Sequence, residues 1–261
     1  MDALSDQPPA PQRVSYGTHP SQYAELFLPA GGSRGVVVVV HGGFWKAAYD
    51  CSLGRPLAAA LARAGWTAWN IEYRRVGDGG GTPETLDDVA AAIDKLAEVS
   101  VDGVPLDLSC VLTLGHSAGG HLAAWAAARG QHERWAQERV PVTGVVSQAG
   151  VLDLRRAHVE QLGAGAVEEF LGRRPTDLDV TVDPLLQLPL DVPLWCVHGV
   201  DDEVVPITQS RRYVEHARLA GAEVGIVEVE GDHFTVVDVD SDAWARTLEV
   251  LESLASTPTR H

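Results

Sequence analysis

The residue best placed to do chemistry in this chain is a serine held between small neighbours. Gly115-His116-Ser117-Ala118-Gly119 follows the apolar run Cys110 to Leu114 and precedes a helix-forming run from His121 to Arg129. A serine on a sharp strand-to-helix turn sits in strained backbone geometry with its hydroxyl presented, and glycine at both outer positions lets strand and helix approach. The chemistry implied is nucleophilic attack on an acyl carbon. A serine hydroxyl is a poor nucleophile at neutral pH, so it needs an adjacent base and a third group to orient that base.

Ten histidines compete for the base. On a strand–turn–helix template the partners follow the serine in the order acid, then histidine, each in a loop at the carboxyl end of a later strand. His19 and His41 come too early, and His261 is at a terminus. His121 and His132 lie in or just after the nucleophile helix, His158 in an irregular stretch, and His216 on a helix facing water. His233 remains, in Glu230-Gly-Asp-His-Phe234 directly after the strand-like run Val224 to Val229. The acid belongs after the preceding strand, where Asp201, Asp202 and Glu203 stand in a row. One carboxylate suffices for orientation. The other two read as a solvated turn, because no histidine pair at metal-ligand spacing accompanies them.

Attack on a carbonyl develops negative charge on oxygen, which backbone N–H groups fixed in a glycine turn stabilise without reorganisation. His41-Gly42-Gly43-Phe44-Trp45, at the end of five valines, supplies such a turn. The donors would be the N–H of Ala118 and of Phe44, with Trp45 or Gly43 as a further one. Phe44, Trp45 and His116 are the candidate substrate-binding side chains, since aromatic groups beside the turn suit a small flat ligand. The glycines from Gly77 to Gly81 lack a following lysine–serine or lysine–threonine pair, which excludes a phosphate-binding P-loop.

The elements that must carry these residues follow from patterning. Short β-branched runs alternate with alanine- and leucine-rich segments, the signature of a mainly parallel sheet covered by helices. Strands are expected over Tyr23 to Leu28, Gly35 to His41, Thr67 to Tyr73, Cys110 to Leu114, Val142 to Gln148, Leu194 to Val197 and Val224 to Val229. Val36 to Val40 has no polar alternation, as a central strand buried on both faces requires. Helices are expected over Leu53 to Ala64, from Thr82-Pro83 to about Val99, Ala118 to Arg129, Thr208 to Leu219 and Ala243 to Leu254, with Thr82 as cap and Pro83 in the first turn. The expected domain organisation is a flexible leader over 1–15, one α/β domain over 16–256 and a tail over 257–261. The irregular, proline-interrupted stretch 152–191 is the candidate cap or lid insert.

Composition narrows the partners. The 261 residues carry 36 acidic against 20 basic side chains and a formal charge of -16, which repels nucleic acid and anionic membranes. Lys46 and Lys95 are the two lysines, so a polybasic anchor is not expected. The first fifteen residues show no signal-like apolar core, and no apolar run approaches the roughly 20 residues that span a bilayer. Three cysteines without metal-ligand spacing fit a reducing, cytoplasmic setting. The expected partner is a small ester or amide; no cofactor, metal, nucleic acid or membrane is expected, and a homodimer is left open.

The set His41-Gly-Gly-Phe-Trp45, Gly115-His-Ser-Ala-Gly-Gly-His121, His198-Gly-x-x-Asp202-x-x-Val-Pro206 and Gly231-Asp-His-Phe234 resembles the α/β-hydrolase superfamily. The likeness covers about Tyr16 to Leu254. Within the superfamily it is similar to the kynurenine formamidase, hormone-sensitive-lipase-like and bacterial feruloyl-esterase-like branch. The resemblance implies an eight-stranded, mostly parallel sheet and a cofactor-free triad of Ser117, Asp202 and His233, with Asp201 as the fallback acid. It implies hydrolysis of a small carboxylic ester or aryl formamide through an acyl-enzyme. A prolyl-oligopeptidase-like peptidase and a non-catalytic ligand-binding module on the same fold are the alternatives. Two departures bear on the substrate: formamidases usually carry tyrosine or alanine, and the lipase-like members a third glycine, where this chain has Phe44. Tyr73-Arg74 resembles a structural motif of the branch.

Overall fold

The computed structural model describes residues 11–256. In chain order the elements are β1 (Gln12–Ser15), β2 (Tyr23–Phe27), β3 (Val36–Val40), α1 (Arg55–Arg63), β4 (Thr67–Ile71), α2 (Glu84–Asp94), β5 (Ser100–Val101), β6 (Val104–Pro105), β7 (Val111–His116) and α3 (Ala118–Ala128). They continue with β8 (Gly144–Gln148), α4 (Leu154–Val159), α5 (Ala166–Leu171), β9 (Leu194–Gly199), α6 (Thr208–Leu219), β10 (Val224–Val229) and α7 (Asp242–Ser256). Eight strands form one sheet in the order β1-β2-β4-β3-β7-β8-β9-β10, antiparallel at β1/β2 and β2/β4 and parallel from β4 to β10. This is the α/β-hydrolase fold.

The five valines of β3 are all buried, between β4 on one side and β7 on the other. Their side chains alternate across the sheet. Val36, Val38 and Val40 join the apolar layer with α2, α3 and α6, whereas Val37 and Val39 join the layer with α1 and α7. Helices therefore cover both faces, and the carboxyl ends of β3, β7, β9 and β10 converge at one rim, where loops can meet.

Two expectations are corrected and one element is added. The leader assigned to 1–15 already contains β1, which pairs with β2 in register from Gln12↔Leu26 to Ser15↔Tyr23. An edge strand pairs on one side and faces solvent, so it leaves little apolar signal; the part of the leader over 1–10 and the tail over 257–261 lie outside the described residues. Thr82 does not cap α2: Pro83 occupies the cap position, and Thr85 Oγ1 instead accepts the Gly81 N–H at 3.0 Å and donates to Arg74 O at 2.6 Å. The β5–β6 hairpin went unpredicted although Asp102-Gly103, both at positive φ, is a turn signal.

The stretch 152–191 holds α4, α5 and two single 3₁₀ turns. Leu154, Ala157, Val167 and Phe170 are buried in the same apolar layer as α3, so the insert is packed onto the domain through its own core-facing residues.

Candidate active site

β7 ends at His116 and α3 begins at Ala118, so the intervening Ser117 must turn the chain in one residue. It does so at φ 56°, ψ -121°, a conformation costly for a side chain with a Cβ. Its N–H donates to Gln148 O at 2.9 Å and its carbonyl accepts from Gly120 N–H at 2.9 Å, which locks the turn between β8 and α3. The expected role of small neighbours is visible in the packing: a Cβ on Gly119 would stand 2.1 Å from Val40 O, and one on Gly115 2.0 Å from Gly119 O.

His233 follows β10 in a loop cinched by Asp232, whose Oδ1 accepts from Phe234 N–H, Thr235 N–H and Thr235 Oγ1, each at 3.0 Å. His233 Nδ1 lies 2.7 Å from Asp202 Oδ2. Of the three adjacent carboxylates, Asp202 alone points inward. Asp201 and Glu203 are exposed, and Asp201 joins the two loops by its backbone, N–H to Gly231 O at 3.0 Å. Asp202 Oδ1 accepts from Val204 and Val205 N–H at 2.8 Å each. Burial pushes the Asp202 carboxyl up, but hydrogen bonds from His198, His233 and the Val205 N–H outweigh it and hold it well below the usual carboxylate range.

Ser117, His233 and His116 line one mostly apolar cavity of about 170 Å³, with Gly42, Gly43 and Phe44 on a second side. Leu53, Leu57 and Val237 complete its apolar wall, and Tyr49 and Phe234 stand exposed at its mouth. None of these five was anticipated, because they come from the start of α1, the segment before it and the loop after β10. Ala118 is the first residue of α3, where a backbone N–H has no acceptor within the helix, so this N–H is free to meet a ligand oxygen. His116 donates Nε2–H to His233 O at 2.9 Å and its ring lies 4.4 Å from that of His233. Burial, reinforced by the neighbouring His233, pushes the His116 imidazole down to about 3, so it stays neutral.

Trp45 is not where a substrate-contacting side chain belongs. Phe44 and Trp45 both adopt positive φ, 53° and 56°, and the indole turns away from the cavity into the core. Its Nε1 donates to His121 Nδ1 at 3.2 Å and its ring stacks on Phe170 of α5 at 4.7 Å. Burial pushes the His121 imidazole down to about 4, and the neutral ring passes its Nε2–H to Val182 O at 2.8 Å. Beside it Lys46 pairs with Glu169 at 2.9 Å, and Phe44 packs so closely on the insert that a Cβ on Gly163 would stand 2.3 Å from its ring. The turn at 42–46 is thus clamped to the insert by three consecutive side chains.

The other support of that turn was missed in the sequence. Buried Glu72 accepts from His41 Nε2 at 3.1 Å, Cys51 N–H at 2.8 Å and Tyr73 N–H at 2.9 Å, and pairs with Arg75 at 2.8 Å. Burial pushes its carboxyl up, but these donors prevail and hold it below its ordinary value. Tyr73 Oη donates to His41 O at 2.7 Å. The available signal was a charged residue directly after a fully buried strand, just before Tyr73-Arg74. Among the described residues, no group of three or more His, Cys, Asp or Glu is arranged to hold a metal ion, and no helix is long and apolar enough to cross a membrane.

Comparison with known proteins agrees with this architecture. Esterase LipC of Mycobacterium tuberculosis is 29% identical over 239 residues, covering 84% of this chain and 58% of that protein. The chain spans 51% to 58% of the length of the curated relatives it matches. Among solved structures, a truncated carbohydrate esterase from gut microbiota superposes with a TM-score of 0.82 at 20% identity, covering 98% of this chain and all of that one. The Thermogutta terrifontis esterase Est2 with butyrate bound gives 0.74 at 23% identity, with 94% and 93% covered. The BD-FAE family model matches residues 25–216, most of the chain and the strands and turns that carry Ser117 and Asp202, and the chain belongs to the BD-FAE family of α/β-hydrolases.

Proposed function

We propose that the protein hydrolyses small carboxylic esters through an acyl-enzyme on Ser117. The observation that carries this reading is the opening of the strained Ser117 turn and the Asp202-oriented His233 onto one apolar cavity. Ser117 Oγ attacks the acyl carbon while His233 Nε2 takes its proton, and Asp202 stabilises the imidazolium through Nδ1–H. The Ala118 N–H and the N–H groups of the 43–45 turn receive the developing oxyanion. His233 then returns the proton to the departing alkoxide, and water repeats the sequence to release the acid and free Ser117.

The cavity favours short acyl groups. Its volume of about 170 Å³ lies below the roughly 300 Å³ at which drug-sized ligand sites begin. The name of the 29% identical relative, an esterase, supports ester over formamide hydrolysis. Aryl formamides remain the second substrate class, supported by the exposed Tyr49 and Phe234 at the mouth, which suit a flat leaving group. The three free cysteines support a reducing, cytoplasmic setting. The test is a panel of p-nitrophenyl esters of graded chain length beside N-formylkynurenine, compared by kcat/KM. Butyryl or acetyl esters are expected to lead; preference for palmitoyl esters defeats the short-acyl reading, and absence of fluorophosphonate labelling at Ser117 leaves a binding module.

A further inference from the structure

Asp202 is shared between two imidazoles. His198, next to last in β9, is fully buried, and its Nε2 lies 3.2 Å from Asp202 Oδ2, the oxygen that also receives His233 Nδ1–H. The same Nε2 lies 2.8 Å from Val205 O. A carboxylate and a carbonyl both accept, so Nε2 carries the hydrogen. Nδ1 lies 2.8 Å from Ser210 Oγ on α6, and in a ring with its hydrogen on Nε2 it accepts from that hydroxyl.

Oδ1 has the Val204 and Val205 N–H groups, and Oδ2 has the His233 Nδ1–H and a share of the His198 Nε2–H, whose nearer acceptor is Val205 O; His198 thus ties the carboxylate to the same turn whose N–H groups hold its other oxygen. We infer that His198 is a positioning residue: with the 204–205 backbone it holds the ionised Asp202 in the one rotamer that meets His233, and the Ser210 hydroxyl, bonded to Nδ1, fixes the orientation of the His198 ring. The inference rests on the hydrolase reading above. Without the His198 donor, a buried carboxylate is left partly unsatisfied and free to rotate away from His233, which slows proton transfer but not substrate binding.

The experiment measures kcat and KM on p-nitrophenyl butyrate, with thermal melts, for His198→Phe, His198→Gln and Ser210→Ala. His198→Phe keeps the ring volume and loses the donor; kcat is expected to fall roughly 10- to 100-fold with KM within about twofold. His198→Gln places an amide N–H near the Nε2 position and is expected to recover most of that loss. A folded Phe variant with wild-type kcat, or a Gln variant as impaired as the Phe variant, overturns the inference. If His198→Phe does not fold, Ser210→Ala decides: a several-fold loss of kcat at unchanged KM supports the inference, and wild-type kcat overturns it. Ser117→Ala separates the two claims. If it stays active the hydrolase reading falls, whereas an inactive Ser117→Ala beside a fully active His198→Phe removes the His198 role alone.

Discussion

The two sides of the cavity are built by different physics. On the nucleophile side, Gly115 to Gly120 holds its strained turn by backbone hydrogen bonds and by close packing that leaves no room for a Cβ. On the facing side, the turn at 42–46 contains two aromatic residues at positive φ and is held by side chains: Glu72 and Tyr73 beneath it, and His121, Phe170 and Glu169 behind it. The first side depends on volume and the second on a polar network and the insert. Substitutions that preserve shape but alter polarity should therefore spare the fold on the nucleophile side and disturb the facing side.

The largest expected effect is at the nucleophile. Ser117→Ala changes no packing of consequence and should lower kcat on the order of a millionfold with an unaltered melting temperature, because nucleophile and base act as a unit. Residual esterase activity near wild type would remove Ser117 from the mechanism. Next is the acid: Asp202→Asn should cost roughly four orders of magnitude in kcat by favouring the wrong tautomer of His233, while exposed Asp201→Asn stays near wild type. Side-by-side assays of the two variants check this ranking, and its reversal would contradict the inward geometry of Asp202.

Glu72→Gln keeps the shape but removes the charge that collects four donors, leaving Arg75 with less compensation. It should destabilise the protein by about 3 kcal/mol, as breaking a buried ion pair does, and lower kcat through the loosened turn. Denaturant unfolding and kinetics together measure both; unchanged stability would show that the network does not support the turn. Trp45→Phe retains apolar bulk and loses the hydrogen bond to His121, so an effect of about 1 kcal/mol on stability and a few-fold on kcat is expected, with KM unmoved. A large KM change instead would return Trp45 to the substrate pocket.

The smallest effect concerns the insert. Burial and the neighbouring Asp153 push the Asp183 carboxyl up to about 7, above its value of roughly 4 in an unfolded chain. The folded protein therefore binds the extra proton between those values, and this contribution to stability is present at low pH and lost as pH rises through about 7. Relative to Asp183→Asn, the wild-type melting temperature should drop between about pH 5 and about pH 8. Parallel curves for the two proteins would show that Asp183 does not titrate there.

Legibility followed the range of the interactions. The valine strand β3, the α3 helix and the Ser117 turn were readable because each is set by neighbours within a few positions. The edge strand β1 was not, since its residues are mostly polar and its order comes from pairing with β2. Resemblance to known sequences selected Asp202; the residues alone left three carboxylates open, and what distinguishes them is which one the turn after β9 aims inward.

The chain by itself determined the order of motifs, the doubly covered central strand and the serine turn, because steric limits on glycine, valine and a strand-to-helix bend act locally. The tertiary structure decided the rest. Trp45 finds His121 from 76 positions away, and Glu72 finds His41 and Asp202 finds His233 from 31 positions away. Such contacts are chosen by which loops the sheet brings to the same rim and by the need of every buried polar group for a partner, and no local pattern records either.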